Sequence, residues 1–140
     1  MRLVDASVFV HAYLKPNREL KPHEVRIKEA AKRMVKSINE GEEVAITIVQ
    51  LSEIANILEN YMPIEEAFKV EEFLLVAENV RVFEVTTKDC LEALEASKDK
   101  KVGLSDSIAY LSMLKHGINE IYSFDGDFDD LEDIKRVVEV

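Results

Sequence analysis

The strongest constraint on this chain is a change of period that repeats along it. Short runs rich in β-branched and aliphatic residues, Arg2–Asp5, Val44–Ile48, Val80–Val85 and Ile118–Phe124, alternate with longer stretches whose apolar residues recur every three or four positions. Side chains alternate faces in a strand but return every 3.6 residues in a helix, so this pattern dictates strand, helix, strand, helix. The helical stretches are Ser7–Leu14, with Ser7 as cap, Val25–Ile38, Val49–Tyr61 before Pro63, Ile64–Ala77, Thr86–Ser97, and Leu104–Lys115 before Gly117. Val137–Val140 is placed as a fifth strand. Residues 15–24, with two prolines and an Asn, read as a loop or broken helix, and residues 98–101 as an exposed basic connection. The order predicts an α/β fold, a three-layer α/β/α sandwich around a mainly parallel sheet, in one domain spanning residues 1–140.

In such a sheet, ligands sit beyond the carboxyl ends of the strands. That edge is where the acids gather. Asp5 ends the first strand, and Asp125 and Asp127 follow the fourth in "SFDGDFDD". Asp106 lies in the first turn of the 104–115 helix. Glu53 borders the apolar stripe that carries Val49 and Ile57. Each has an ordinary explanation alone: a helix cap for Asp5, a boundary residue for Glu53, a dipole partner for Asp106, a solvated turn for Asp125 and Asp127. Their convergence on one edge instead suits a hard divalent cation such as Mg²⁺ or Mn²⁺, which takes oxygen ligands. Like charges packed this closely are expected to raise the proton affinity of at least one carboxyl until a cation binds.

Other chemistries lack their residues. With one cysteine, Cys90, neither an intramolecular disulfide nor a cysteine zinc cluster is possible, and Cys90 reads as a buried thiol on a face with Leu91 and Leu94. His11, His23 and His116 have no zinc-ligand spacing, and His116 reads as a helix C-terminal residue. Counted from Asp125 as an EF-hand loop, the sixth position is Asp130 rather than Gly and the twelfth is Arg136 rather than Glu. No phosphate-binding glycine motif or nucleophile elbow occurs. The net charge of −10 argues against a surface that coats nucleic acid, but metal-holding acids contribute to that same charge. No apolar run is long enough to span a bilayer, and the N-terminus opens on a strand, so a cytoplasmic location with no membrane partner is expected.

Four segments in order, "VDAS", "SEIANIL", "LSDSIAYL" and "YSFDGDF", resemble the PIN domain, and within it the VapC-type toxin ribonucleases of toxin–antitoxin pairs. The resemblance spans essentially the whole chain. It implies a Mg²⁺- or Mn²⁺-dependent endoribonuclease acting on single-stranded RNA, with Asp5, Glu53, Asp106 and Asp125 as the catalytic acids. Metal ligands would be Asp5, Asp106, Asp125 and the additional acid Asp127. Ser7 and Ser123 match hydroxyl positions that support the acids or the ion's water. A cognate antitoxin and a homodimer are implied partners, with Ile57, Tyr61, Phe68 and Phe73 offering apolar surface. The 15–24 segment is longer than the family's usual link. Lys98, Lys100, Lys101, Lys15 and Arg18 are the candidate RNA contacts. The competing expectation is a binding module, weakly active or inactive, whose acidic edge docks a basic partner segment.

Overall fold

The structure, a computed structural model, describes residues 1–140. Five short strands, β1 (Arg2–Val4), β2 (Val44–Thr47), β3 (Val80–Phe83), β4 (Glu120–Tyr122) and β5 (Lys135–Val137), form one sheet in the order β3-β2-β1-β4-β5. Every neighbouring pair is parallel. Six helices complete the fold: α1 (Ala6–Tyr13), α2 (Pro22–Asn39), α3 (Ile48–Tyr61), α4 (Ile64–Val76), α5 (Thr87–Lys100) and α6 (Leu104–Lys115). A 3₁₀ turn covers Gly126–Asp130.

The strand pleat divides the core into two layers. Val4, Val44, Ile46 and Tyr122 point to the side packed by α1 to α4, where Met34, Ile38, Ile54 and Leu58 are sealed from solvent. Their neighbours Leu3, Ala45 and Ile121 point to the other side, with Ala109, Met113 and Phe128. This is the expected α/β/α sandwich, with a sheet that is wholly rather than mainly parallel. Both faces are covered, which is why the strands read as near-continuous apolar runs. Burying each large apolar side chain contributes about 1.5–3 kcal/mol, and these two layers carry the fold.

Several boundaries differ from the periodicity, each for a local reason. Helix α1 starts at Ala6 with Asp5, not Ser7, as its cap: Asp5 has extended backbone and its side chain accepts from Ser7 N. Helix α2 begins at Pro22, because proline is tolerated in a first turn, so the loop closes at Lys21. Residues 98–100 are the last turn of α5, where lysines suit the negative helix end, and Lys101 closes it in the left-handed conformation. Strand β4 spans three residues, since Phe124 leaves the sheet to donate from its N–H to Ser7 Oγ. Strand β5 is set by pairing with β4, Glu120 opposite Lys135 through Tyr122 opposite Val137, rather than by the apolar tail. Cys90 is half-buried, not buried; Leu91 and Leu94 face solvent and Ala93 is the buried residue of α5. Gly126 has no backbone angle that demands glycine.

Candidate metal centre

The strand order explains why distant acids meet. Successive strands after β1 go to one side as β2 and β3, whereas β4 lies on the other side of β1. The chain therefore diverges at the carboxyl ends of β1 and β4, and a crevice opens there. Asp5 follows β1 directly and Asp125 follows β4 by three residues. Helix α3 starts straight from β2, held by a reciprocal cap: Gln50 N donates to Thr47 Oγ1 at 3.1 Å and Thr47 N to Gln50 Oε1 at 2.9 Å. One turn later comes Glu53. Helix α6 runs back toward β4, so its first turn, with Asp106, lies at the same edge.

Asp106, Asp125 and Asp127 each offer a carboxylate oxygen within 4.8 Å of the others. The buried Asp5 stands beside them with one oxygen committed to the protein: its Oδ2 accepts from Ser7 Oγ at 2.7 Å, Ser123 Oγ at 3.0 Å and Ser7 N at 3.4 Å. Oδ1 receives no protein donor. The capping role thus occupies one oxygen of the carboxylate and leaves the other without a protein donor. Ser123 Oγ also accepts from Asp125 N at 3.0 Å, and Asp125 Oδ1 from Asp127 N at 2.9 Å. Two serines and two backbone amides therefore tie β1, β4 and the acidic turn into one unit.

The electrostatics are those of uncompensated anions. Burial, then the charges of Asp125, Asp5, Asp127 and Glu53, push the Asp106 carboxyl up to about 7. Glu53 is raised as well, by burial first and then by Asp5, with the Ser105 hydroxyl acting in the opposite direction. None of these five carboxylates pairs with a Lys, Arg or His of the chain. Arg136, which feels the charge of Asp125, is forked onto Asp129 at 2.9 Å instead. Three converging hard oxygens, a fourth acid with an uncommitted oxygen, and a proton taken up near neutrality for lack of a cation fit a divalent ion.

All seven acids and hydroxyls singled out at this edge are brought together, Glu53 acting on Asp106 through its charge. The five basic candidates form no salt bridge with these acids, although the end of α5 that carries Lys98, Lys100 and Lys101 packs against the first turn of α6, next to Asp106. Lys98 and Lys100 lie at the end of α5 beside Glu95 (3.4 Å) and Asp99 (4.0 Å). Lys101 caps that helix, which meets α6 through Ser97 Oγ and Ser107 Oγ, 2.7 Å apart. Arg18 is held by Glu24 at 2.6 Å, across the loop from Lys15. Sequence reading missed Ser105 and the Thr47–Gln50 cap. The cap was legible as a threonine three residues before a glutamine at a strand end; Ser105 carried no signal.

Comparison with known proteins bears on the same arrangement. The structure matches Mycobacterium tuberculosis VapC20, a toxin that cleaves the sarcin–ricin loop, with a TM-score of 0.69 and 23% identity over 92% of this chain and 93% of that one. It also matches a toxin–antitoxin complex from Klebsiella pneumoniae, with a TM-score of 0.68 and 13% identity over 100% of both chains. No curated protein matches the sequence. At these identities the likeness is one of fold. The PIN domain model, however, matches residues 2–134, from the first residue of β1 to just short of β5 and across every acid of the crevice: the chain belongs to the PIN domain family.

Proposed function

We propose that the chain is a metal-dependent endoribonuclease that hydrolyses single-stranded RNA, and that it is the toxin of a toxin–antitoxin pair. The observation that carries this is the set of five carboxylates gathered at the crevice with no protein cation among them. Membership of the PIN family and the fold shared with two toxin-system proteins support it.

Asp5, Asp106 and Asp125, with Asp127, would hold Mg²⁺ or Mn²⁺. The bound ion supplies an activated water, neutralises charge developing on the phosphate, and aids the leaving oxygen. Glu53, half-buried and with raised proton affinity, takes the proton of the attacking water on its carboxylate. Ser7 and Ser123 hold Asp5 so that one oxygen faces the crevice while the other caps α1. Asp106 carries the proton that must leave when an ion binds, so affinity should rise with pH through about 7.

An antitoxin segment bearing Arg or Lys is the natural occupant of the same edge when the enzyme is silent, because it meets the charge a metal otherwise neutralises. A homodimer fits the apolar surface left open on α4, where Phe68, Leu75 and Val76 face solvent. No helix is long and apolar enough to cross a membrane, in keeping with a cytoplasmic site of action. The test is cleavage of labelled single-stranded RNA by the purified chain in Mn²⁺, Mg²⁺ or EDTA. Cleavage confined to the metal-containing reactions is expected. Undiminished cleavage in EDTA, or none with either ion, would favour a binding module instead. Sequencing the cut ends would define the target.

A further inference from the structure

A second region of the molecule has the opposite charge problem. Residues 15–36 hold eight of the 18 Lys and Arg but three of the 28 Asp and Glu. They form the loop after α1 and most of α2, and with α1 and the end of α3 they enclose a cavity of about 310 Å³. Its walls are the aliphatic side chains of Val10, Leu14, Leu20 and Ile27, and its rim carries Lys15, Lys28 and Tyr61. That volume is in the range of small-ligand sites, roughly 300–1,000 Å³.

The cavity is built rather than incidental to a floppy loop. The Arg18 guanidinium forks onto both Glu24 oxygens, at 2.9 and 2.6 Å, and Glu24 also accepts from Lys21 N at 3.0 Å, which fixes the loop on the start of α2. Lys28 Nζ donates to the carbonyls of His11 and Leu14, at 3.1 and 2.8 Å, fastening the end of α1 to α2. Lys15 has no carboxylate within reach, and the charges of Lys15 and Lys32 add to burial in loosening the proton on Lys28. Tyr61 is 74% exposed at the rim. One lining residue links the cavity to the metal centre: His11 meets the edge of Phe124 with ring centroids 5.5 Å apart, and Phe124 directly precedes Asp125.

We propose that this cavity is a nucleotide subsite of the RNA-cleaving site, holding one base and one phosphate of the strand that flanks the scissile bond. The proposal rests on the nuclease reading above. A flanking phosphate meets Lys15, which has no carboxylate partner, and a base enters an aliphatic slot with Tyr61 as stacking surface, the combination that single-strand binders use. An acidic polypeptide would satisfy the lysines but has no use for an aromatic rim beside an aliphatic slot. The lysines at the end of α5 are poorer candidates because Glu95 and Asp99 stand next to them. The loop length that sets residues 15–24 apart has a use here, as the outer wall of the subsite.

The test is anisotropy of a fluorescent mixed-sequence single-stranded RNA ten-mer on the full chain in EDTA, with cleavage of the same RNA in Mn²⁺ as a parallel readout. Lys15→Glu and Tyr61→Ala should each weaken binding about fivefold to tenfold, and Lys15→Glu should reduce the salt slope by about one. Tyr61→Phe should restore binding. The triple charge reversal at Lys98, Lys100 and Lys101 should change it less than twofold. Both tested side chains are exposed, and unchanged melting curves would exclude misfolding. Cleavage and binding that survive in Lys15→Glu and Tyr61→Ala would overturn the subsite while leaving the nuclease intact. So would a loss confined to the α5 triple variant, or a change of oligomeric state in Tyr61→Ala. Tighter retention of polyglutamate than of RNA would assign the cavity to an acidic protein partner and overturn it too. A wild-type chain that never cuts RNA in Mn²⁺ defeats the nuclease reading itself.

Discussion

The two ends of the sheet face the same problem and resolve it differently. At the amino ends of the strands, Glu42 accepts from Tyr122 Oη (2.9 Å), Ser37 Oγ (2.6 Å) and Arg2 (3.5 Å), while Arg2 also reaches Glu120 at 3.1 Å and Tyr122 Oη at 2.8 Å. Each acid there has a cation beside it. At the carboxyl ends, Asp5, Glu53 and Asp125 have hydroxyl or amide donors, Asp106 and Asp127 have none, and no salt bridge reaches any of the five. A part-buried carboxylate is ordinarily neutralised by a partner; one that is not must gain from something the chain does not supply. On the proposed function, the closed end serves stability and the open end keeps its charge for a cation.

Substitutions should separate the two. Asp5→Asn keeps an oxygen to cap α1 but loses the charge. Cleavage in Mn²⁺ should drop by at least about a hundredfold with little change in melting temperature; activity within a few-fold of wild type would remove Asp5 from the site. Ser123→Ala takes one donor from Asp5 and one acceptor from Asp125 N. The expected outcome is about tenfold weaker Mn²⁺ binding by calorimetry, and an unaltered affinity would reduce Ser123 to packing. Glu42→Gln at the closed end should do the reverse, lowering stability by about 1–2 kcal/mol in urea melts while RNA cleavage is unchanged.

How much of this was legible in sequence follows from what each feature rests on. The succession of strands and helices and the sandwich came from period alone, because strands covered on both faces have no polar side to confuse the pattern, whereas the strand order came only from the pairing in the structure. The acids were legible because strand ends are fixed by the fold and an acid there is a local signal. Ser7 was mistaken for the cap because Asp5 and Ser7 are both good caps, and only backbone angles distinguish them. The short basic run at 98–101 read as a loop, since the left-handed cap is made by Lys101 where a glycine was the expected signal. The closed end was not legible at all. Arg2, Glu42, Glu120 and Tyr122 lie up to 120 residues apart, and nothing in their immediate neighbours marks them.

The central claim, that the open end is a cation site, is tested most directly by melting the protein with and without Mn²⁺ at pH 5 and pH 8. Asp106 binds its proton more tightly in the folded chain than in the unfolded one, with a folded pKa raised to about 7 from an ordinary carboxyl value. Metal-free stability contributed by this group is therefore present at low pH and lost as pH rises through about 7. Mn²⁺ should reverse that loss, giving a larger rise in melting temperature at pH 8 than at pH 5. In Asp106→Asn the metal-free protein should melt higher than wild type at pH 8, and the Mn²⁺ shift should vanish. A wild-type chain that gains nothing from Mn²⁺ at pH 8, or an Asp106→Asn variant that gains as much as wild type, would contradict the account.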